Sequence, residues 1–493
     1  MNELLRINPA DMVAVALQPL AKGAVLSVDG IPLILADDTP MGHKVALREI
    51  RKGEPVIKYG FPIGEATEDI PKGGHIHTHN LHTLLKGEQT YTWHPTHPKL
   101  EPLPPVTFPG FRREDGRVGI RNELWIIPTV GCVNDVAASL AEKLRRESFP
   151  GVEDICAFRH PYGCSQLGGD QENTRQALAN LCCHPNAGGV LLLGLGCENS
   201  SIAEICRHIP EGEHPRLRTL VCQQVEDELA AGEALARELL SAMAKDQRTP
   251  CSTRDLVVGL KCGGSDGLSG ITANPAIGGF SDRLIARGGA TILTEVPEMF
   301  GAETILMDRC EDEATFGKTV RLINDFKRYF EASGQPVYEN PSPGNKAGGI
   351  TTLEDKALGC TQKSGSAPVR DVLSYGERVT VPGLNLLSAP GNDLVAATAL
   401  ALSGAQMVLF STGRGTPFGC PVPTVKISSN SDLAGRKRGW IDFNAGELLN
   451  GKTLPELSDD LFDLVLAIAG SRTTQAEKNG FRDLAIFKTG VTL

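Results

Sequence analysis

The stretch VLLLGLGCENSSIAEICRHI, residues 190–209, decides the fold class of this chain. It begins with an unbroken apolar run that is typical of a buried strand, and Gly-Cys-Glu-Asn follows as a turn. Ile202, Ile205 and Ile209 then recur at helical spacing, which predicts a helix with one apolar face. A buried strand followed by a turn and an amphipathic helix is the repeating unit of an α/β domain.

The same order of elements occurs earlier, in ELWIIPTVGCVNDVAASLAEKLRRE, residues 123–147. Its first residues predict a strand, GCVN predicts a turn, and Val136, Leu140 and Leu144 share one face of the predicted helix. Strand–turn–helix units that follow one another along a chain predict a parallel sheet covered by helices.

The sequence changes character along its length, which predicts a multi-domain α/β protein. Short apolar runs broken by glycine predict a small all-β domain over 1–95, and a proline-rich stretch predicts a linker over 96–115. The units described above fall in a first α/β domain over 116–248. The runs DLVVGL, LVAATALAL and AQMVLFS predict further strands and a helix, so 249–493 is predicted to be a C-terminal α/β domain.

The composition is that of an ordinary globular chain, with 493 residues, 41% hydrophobic and 22% charged. The formal net charge of -10 argues against a general nucleic-acid or anionic-membrane surface. No run reaches the roughly 18 apolar residues that span a bilayer, and the first residues lack the apolar core of a secretory signal. We therefore expect a cytoplasmic protein that binds a small molecule, without nucleic acid or membrane. A homo-oligomer is compatible with the sequence.

Motifs along the whole chain resemble those of the galactarate/altronate dehydratase family. They are GHIHTHN, GRVGIRNELWIIPTVGCVN, YGCSQLGGD, GLGCEN, CGGSDGLSGITANP, TEVPEMFGAE, ENPSPGNKAGGITTLEDKALGCTQK and STGRGTPFG. The resemblance implies an N-terminal domain of the SAF (β-clip) type, followed by the two α/β regions. It also implies a hydro-lyase that converts D-altronate into 2-dehydro-3-deoxy-D-gluconate with Fe²⁺ or Mn²⁺. Galactarate dehydration, a sulfo-lyase reaction on a related hydroxy acid, and non-catalytic binding of a sugar acid are the alternatives.

The implied dehydration needs a base, a group that stabilises an enediolate, and help for the departing hydroxide. Arginine pairs bidentately with carboxylates. Arg117 and Arg121, in the turn-like stretch RREDGRVGIRN, are therefore predicted to bind the substrate carboxylate. The alternatives are a solvated basic turn and a salt bridge with Glu114 or Asp115.

Hydroxyl, lysine and glutamate side chains of the glycine-rich motifs supply further candidates. The hydroxyl of Ser265 suits a polyol and Lys346 suits a carboxylate, so both are predicted to bind substrate. Lys356 and Glu298 are predicted to act in acid–base catalysis, although a lysine base needs its pKa lowered by burial or a nearby cation. Solvated lysines and a polar loop are the alternatives.

The stretch GGHIHTHN, residues 73–80, places histidines at alternate positions. In a strand their rings share one face, with neighbours roughly 6.5–7 Å apart, which allows two of them to meet on one ion. We therefore predict His75 and His77 as ligands of the implied Fe²⁺ or Mn²⁺, and His79 as a proton donor or acceptor beside it. A hydrogen-bonded strand edge is the alternative.

Cysteines next to glycine supply a second set of candidate ligands. Cys132, Cys197 and Cys262 each follow a predicted strand, where open α/β sheets place ligand sites. They are the alternative thiolate ligands, and together with Cys164 and Cys360 they offer sulfur atoms for an iron–sulfur cluster. The simpler interpretation is that cysteine is a common small buried residue.

Overall fold

The structure is a computed structural model that describes residues 3–213 and 216–492. The small all-β domain predicted at the N-terminus is confirmed. Its strands are β1 (Leu4–Leu5), β2 (Val13–Ala16), β3 (Val25–Val28), β4 (Ile31–Ile34), β5 (Lys44–Ala46), β6 (Pro55–Lys58), β7 (Phe61–Ala66), β8 (His75–Ile76) and β9 (Leu81–His82). β1, β2, β5 and β8 form one antiparallel sheet in that order, and β6, β7 and β9 form another.

Tight hairpins shape this domain. Asp29 and Gly30 join β3 to β4, Tyr59 and Gly60 join β6 to β7, and all of these residues have positive φ. Positive φ at both central positions defines the type I′ turn, whose twist matches that of the flanking strands. The antiparallel pairing of β5 with β8 brings His75 beside the loop that precedes β5.

The second domain contains the parallel sheet that the Gly-Cys units predict, in the order β13-β12-β14-β15. Leu124 and Ile126 of the central strand face α1 and α4, while Trp125 and Ile127 face α2. The elements are β10 (Thr107–Arg112), β11 (Val118–Gly119), β12 (Glu123–Pro128), α1 (Asn134–Arg145), β13 (Asp154–Ala157), α2 (Gly169–Cys182), β14 (Ala187–Gly194), α3 (Ile202–Cys206), β15 (Leu217–Val221), α4 (Glu228–Met243) and β16 (Thr249–Ser252). Helices cover both faces, which explains why the strands are apolar throughout.

The stretch predicted as a linker over 96–115 is extended and packed, and it ends in a strand. The N–H of Thr96 donates to the carbonyl of Asp308, and the N–H of Leu103 donates to the carbonyl of Ala286, both at 2.8 Å. β10 then pairs antiparallel with β16, next to the start of the C-terminal domain. The proline-rich stretch therefore follows the surface of the C-terminal domain.

The C-terminal domain is built on a seven-stranded parallel sheet in the order β19-β20-β18-β17-β21-β22-β23. Its elements are β17 (Val257–Cys262), α5 (Ala273–Ala286), β18 (Ala290–Leu293), α6 (Glu303–Met307), α7 (Glu313–Ala332), α8 (Pro343–Ala347), α9 (Leu353–Cys360), β19 (Val369–Leu373), β20 (Gly383–Leu387), α10 (Asp393–Leu402), β21 (Met407–Thr412), β22 (Thr424–Ser428), α11 (Ser431–Arg436), β23 (Phe443–Asn444), α12 (Leu454–Gly470) and α13 (Gln475–Lys478). β18 lies on one side of β17 and β21 lies on the other side. The direction in which the chain adds strands to the sheet therefore reverses at β17. Across the described residues, no helix combines the length and apolarity needed to cross a membrane.

The N-terminal domain contacts the C-terminal domain through glycines that leave no room for a side chain. A Cβ on Gly267 would lie 2.0 Å from the carbonyl oxygen of Gly42, and one on Gly349 would lie 2.3 Å from the same atom. Gly42 and Gly349 also have positive φ, a conformation that glycine adopts without steric cost. These three residues form what we call the glycine contact.

A buried ion triad joins the same two domains. Nζ of Lys44 and Nζ of Lys58 each lie 2.8 Å from a different carboxylate oxygen of Asp355. Burial alone would raise the pKa of Asp355, but the two ammonium groups outweigh it and hold that pKa well below its usual range. The carboxylate therefore stays ionised and fixes α9 against the N-terminal domain.

Replacing Asp355 by Asn is expected to lower the free energy of unfolding at pH 7 by about 3–5 kcal/mol, because two buried ammonium groups lose their counter-charge. A carboxylate whose pKa is depressed in the folded state stabilises above its unfolded pKa and loses this effect as the pH falls. The difference from the parent should therefore shrink below pH 3.8, the ordinary pKa of the group. Urea unfolding at several pH values measures it.

Asp371→Asn is the matched control, because Asp371 pairs with Lys318 at the surface, where an ion pair contributes about 0–1 kcal/mol. A D355N variant as stable as the parent at pH 7 would contradict the role assigned to the triad.

Candidate active site

A cleft of about 570 Å³ opens at the carboxyl end of β17. Its lining includes Gly263, Gly264, Glu298, Asn340, Asn345, Lys346, Lys356 and Asp393. Gly263 directly follows β17, so the cleft lies where open α/β sheets place their ligands, at the point where the strand order reverses. Of the residues predicted from the sequence, Glu298, Lys346 and Lys356 meet here.

Short helical elements position the side chains of Glu298 and Lys356. α9 begins after Thr352, whose side chain accepts a hydrogen bond from the N–H of Asp355, and Lys356 follows in the first turn. Glu298 lies in a 3₁₀ turn over Val296–Met299 that begins after Glu295, a residue with a left-handed φ of 67°. Positive φ is uncommon outside glycine and here marks the site.

Glu298 and Lys356 form a buried ion pair at the wall of the cleft. Nζ of Lys356 lies 2.7 Å from Oε1 of Glu298 and donates to Oδ1 of Asn340 at 3.0 Å. Burial opposes the charge on both groups, but their mutual attraction outweighs it. The pKa of Lys356 therefore lies above its ordinary value, and the pKa of Glu298 falls to about 2 with further help from Lys363 and Lys261. Lys356 is thus a cation and not a free amine base.

A second layer of charge lies beneath this pair. Lys261 and Lys363 bind opposite oxygens of Glu295, at 2.5 and 3.1 Å, and all three side chains are buried. The N–H of Cys262 donates to Glu295 at 2.9 Å. Burial disfavours the charge on Lys261, but Glu295 outweighs it and keeps the pKa of Lys261 above its ordinary value. The sequence analysis did not select either lysine, since nothing in their local pattern distinguishes them from solvated lysines.

The hydroxyl of Ser265 is buried and has no hydrogen-bond partner among the described residues. Its carbonyl accepts a hydrogen bond from Nδ2 of Asn345 at 2.8 Å, which ties this loop to α8 and to the neighbouring Lys346. A buried polar group without a partner costs about 1–3 kcal/mol. Ser265, which was predicted to bind substrate, directly follows Gly264 of the cleft wall but does not itself line the cleft.

A cluster of four histidines lies in the N-terminal domain, against the chain segment that leads into α9. Nδ1 of His43 and Nε2 of His75 are 3.0 Å apart. The ring centroid of His77 lies 4.8 Å from that of His43 and 5.8 Å from that of His75, and the ring of His79 lies 5.4 Å from His75. Nδ1 of His77 lies 3.0 Å from Oγ1 of Thr351 in the C-terminal domain. The rings of His75 and His77 lie side by side, and the ring of His43 neighbours both.

The pKa values of His43, His75 and His77 lie below the ordinary 6.5. Burial is the main cause; His43 adds to it at His75, whose pKa falls to about 4, and Lys44 adds to it at His77, whose pKa falls to about 3. Imidazole binds a metal in its neutral form, so the cluster is ready to do so at neutral pH. Its nitrogen donors fit a divalent transition metal such as iron.

Comparisons with known proteins agree along the whole chain. The family models "Altronate/galactarate dehydratase SAF domain", "D-galactarate dehydratase/Altronate hydrolase, second domain" and "D-galactarate/Altronate dehydratase, C-terminal" match residues 2–84, 110–244 and 253–492. The chain belongs to the galactarate/altronate dehydratase family. The resemblance seen in the sequence motifs is thereby confirmed.

Individual members of the galactarate/altronate dehydratase family match over their full length. Altronate dehydratase of Escherichia coli (strain K12) is 54% identical over 497 residues, and altronate dehydratase of Bacillus subtilis (strain 168) is 52% identical over 500 residues. Both alignments cover 100% of this chain and 100% of the relative. Galactarate dehydratase (L-threo-forming) of Escherichia coli (strain K12) is 33% identical over 98% of this chain and 96% of its own length.

The arginines predicted to bind substrate in this galactarate/altronate dehydratase family member do not line the cleft. Arg117 lies 2.6 Å from Asp115 and 3.2 Å from Glu213. Arg121 is buried and makes a two-pronged ion pair with Glu477, at 2.7 and 3.0 Å. The salt bridge to Asp115 that was the alternative is present. Both guanidinium groups are engaged by the protein itself, so neither belongs to the substrate site that we propose below.

Replacing Arg121 by Lys is expected to destabilise the fold by roughly 1–3 kcal/mol, because one ammonium cannot reproduce a planar two-pronged contact. The KM for the sugar acid should stay within about twofold of the parent value, because no contact to substrate is lost. For comparison, a loss of about 1.4 kcal/mol of binding free energy would raise KM tenfold. Thermal unfolding and steady-state kinetics on the same preparation measure both effects. A large rise in KM at unchanged stability would instead show that Arg121 binds the substrate carboxylate.

The glycine-flanked cysteines divide between the two α/β domains. Cys132, Cys164 and Cys197 follow strands of the four-stranded sheet and are partly or fully exposed. Cys262 and Cys360 are buried in the C-terminal domain, with their sulfur atoms 3.3 Å apart. The alternative thiolate ligands Cys132 and Cys197 thus lie in a different domain from Cys262.

Proposed function

We propose that this chain is a hydro-lyase that dehydrates D-altronate to 2-dehydro-3-deoxy-D-gluconate. The observation that carries the proposal is full-length identity of 54% and 52% with two altronate dehydratases. The cleft supports it, because it combines ammonium groups with a carboxylate and amide side chains, which suit a polyhydroxy acid.

The imidazole cluster supplies the metal ligands in this proposal. His75 and His77 would hold Fe²⁺ or Mn²⁺, and His43 is placed to join them. When bound, such an ion supplies Lewis-acid stabilisation of negative charge on oxygen. His79 lies beside His75 and is proposed to exchange a proton with the substrate there.

The side chains of the cleft carry the rest of the reaction. We infer that the ammonium groups of Lys356 and Lys346 bind the substrate carboxylate and stabilise the enediolate formed when the C2 proton is removed. A substrate carboxylate competes with Glu298 for Lys356, which weakens the ion pair and makes Glu298 a stronger base. Oε1 of Glu298, released from Lys356, accepts the C2 proton, and the C3 hydroxyl takes a proton from His79 and leaves as water. The resulting enol tautomerises to the 2-keto acid.

Substrate discrimination tests the proposal. The full-length protein is incubated anaerobically with Fe²⁺ and with altronate, galactarate or sulfolactate, and 2-keto product and sulfite are followed. We expect a 2-keto product from altronate and far slower turnover of the other acids. Faster turnover of galactarate or release of sulfite would favour the enzyme alternatives. Saturable binding of altronate without any product would favour a sugar-acid-binding protein.

A further inference from the structure

Three ligand atoms converge beneath the cleft, outside the imidazole cluster. The sulfur atoms of Cys262 and Cys360 each lie 3.1 Å from Oε2 of Glu298 and 3.3 Å from each other. All three residues are buried. They belong to the end of β17, the 3₁₀ turn before α6 and the end of α9, so three separate elements bring them to one point.

The charges around this point are already balanced when both thiols carry protons. The cations are Lys261, Lys356 and Lys363, and the anions are Glu295, Glu298 and Asp393. A divalent ion that displaces two thiol protons adds two positive charges and creates two thiolates. The sum is unchanged, so binding M²⁺ with release of two H⁺ introduces no uncompensated buried charge, which is the main obstacle to a buried ion.

Two neighbouring lysines contact the ligands of this site. Nζ of Lys363 lies 2.9 Å from the sulfur of Cys262 and donates to it, a contact that stabilises a thiolate. Lys356 binds Oε1 of Glu298 and leaves Oε2 facing the sulfur atoms. Glu298 also lines the cleft, so one of the three ligands is shared with the wall of the cleft.

We propose that Cys262, Cys360 and Glu298 form a second metal site, separate from the imidazole cluster. This site binds a divalent cation such as Zn²⁺ or Fe²⁺. Thiolate and carboxylate are established ligands of such ions, and three protein ligands leave one position open, as in catalytic sites. The proposal does not rest on the dehydration of altronate, since it concerns only which ion these atoms bind.

Cobalt spectroscopy tests the site without using turnover. The full-length protein is stripped with a chelator under reducing, anaerobic conditions and titrated with Co²⁺ as the probe. We expect a thiolate-to-cobalt charge-transfer band that saturates by two Co²⁺ per chain, since the imidazole cluster also takes up Co²⁺ but gives no such band, and that is lost on adding excess Zn²⁺. Cys262→Ser and Cys360→Ser should each reduce the band at least tenfold at equal Co²⁺. Cys420→Ser, another buried cysteine, and Cys132→Ser, an exposed one, are the matched controls and should retain it.

The imidazole cluster is separated from this site by a further variant. His75→Gln combined with His77→Gln should leave the charge-transfer band unchanged; loss of the band in that variant would overturn the proposal. X-ray absorption of the unmodified zinc-loaded protein needs no variant and should show sulfur scatterers in the first shell of zinc. Zinc surrounded only by nitrogen and oxygen, no band in the parent, or a Cys262–Cys360 disulfide in the reduced preparation would each overturn it as well.

Discussion

Lys356→Met is expected to lower kcat/KM for altronate by about 10²–10³-fold, the usual contribution of one group that stabilises a developing oxyanion. The variant removes the cation that pairs with Glu298 at 2.7 Å, so both the substrate carboxylate and the enediolate lose their partner. Most of the loss should appear in kcat, because the enediolate charge exists only on the way to product. Steady-state kinetics at saturating Fe²⁺, with circular dichroism to confirm folding, measure it.

Lys318→Met is the matched control for this prediction, because Lys318 is exposed and pairs with a surface carboxylate. It should change kcat/KM by less than about twofold, as surface ion pairs contribute little. Lys356→Arg keeps the charge and should retain more activity than the Met variant. If a well-folded Met variant turned over within threefold of the parent, Lys356 would have no part in the chemistry.

His75→Gln combined with His77→Gln is expected to remove metal from the imidazole cluster and to lower turnover on the order of a thousandfold. Lewis-acid stabilisation is worth several kcal/mol, and each 1.4 kcal/mol is a factor of ten in rate. Elemental analysis of Fe²⁺-loaded protein, alongside turnover of altronate, measures both effects. His82→Gln is the control, because His82 is exposed and lies at the edge of the same domain.

Unchanged iron content and turnover in the double variant would show that the histidines do not bind the metal. Lost turnover with unchanged iron content would instead indicate that the retained ion is bound at the cysteine pair, and the cobalt experiment then decides between the two sites.

Much of the fold could be predicted because its signals are local. The apolar run before Cys197 and the helical spacing after it are both complete within twenty residues of sequence, and the structure has β14 and α3 there. The short apolar runs of the N-terminal domain are likewise strands. Such patterns depend only on which face of an element is buried, and residues close together in the sequence are enough to show this.

The site was harder to predict because its members meet only through tertiary contacts. His43 contacts His75 because β5 pairs with β8, and no local sequence pattern indicates that pairing. Arg121 resembled a carboxylate clamp in sequence, but its carboxylate is Glu477, far along the chain. Glu298 and Lys356 were selected from two separate sequence motifs, and their ion pair depends on a 3₁₀ turn and a helix from those separate segments.

The glycine contact has a consequence for how the chain could be divided. Gly42 meets Gly267 and Gly349 with no space for a side chain, and the adjacent ion triad is buried, so the N-terminal domain is held by complementarity of shape and charge. The segment that connects the two domains then acts mainly by raising their effective concentration for one another. Mixing the two pieces as separate chains can replace this effect. A two-chain version, cut in the extended stretch before β10, would reassemble into the same active unit, whereas one alanine at Gly267 would prevent it.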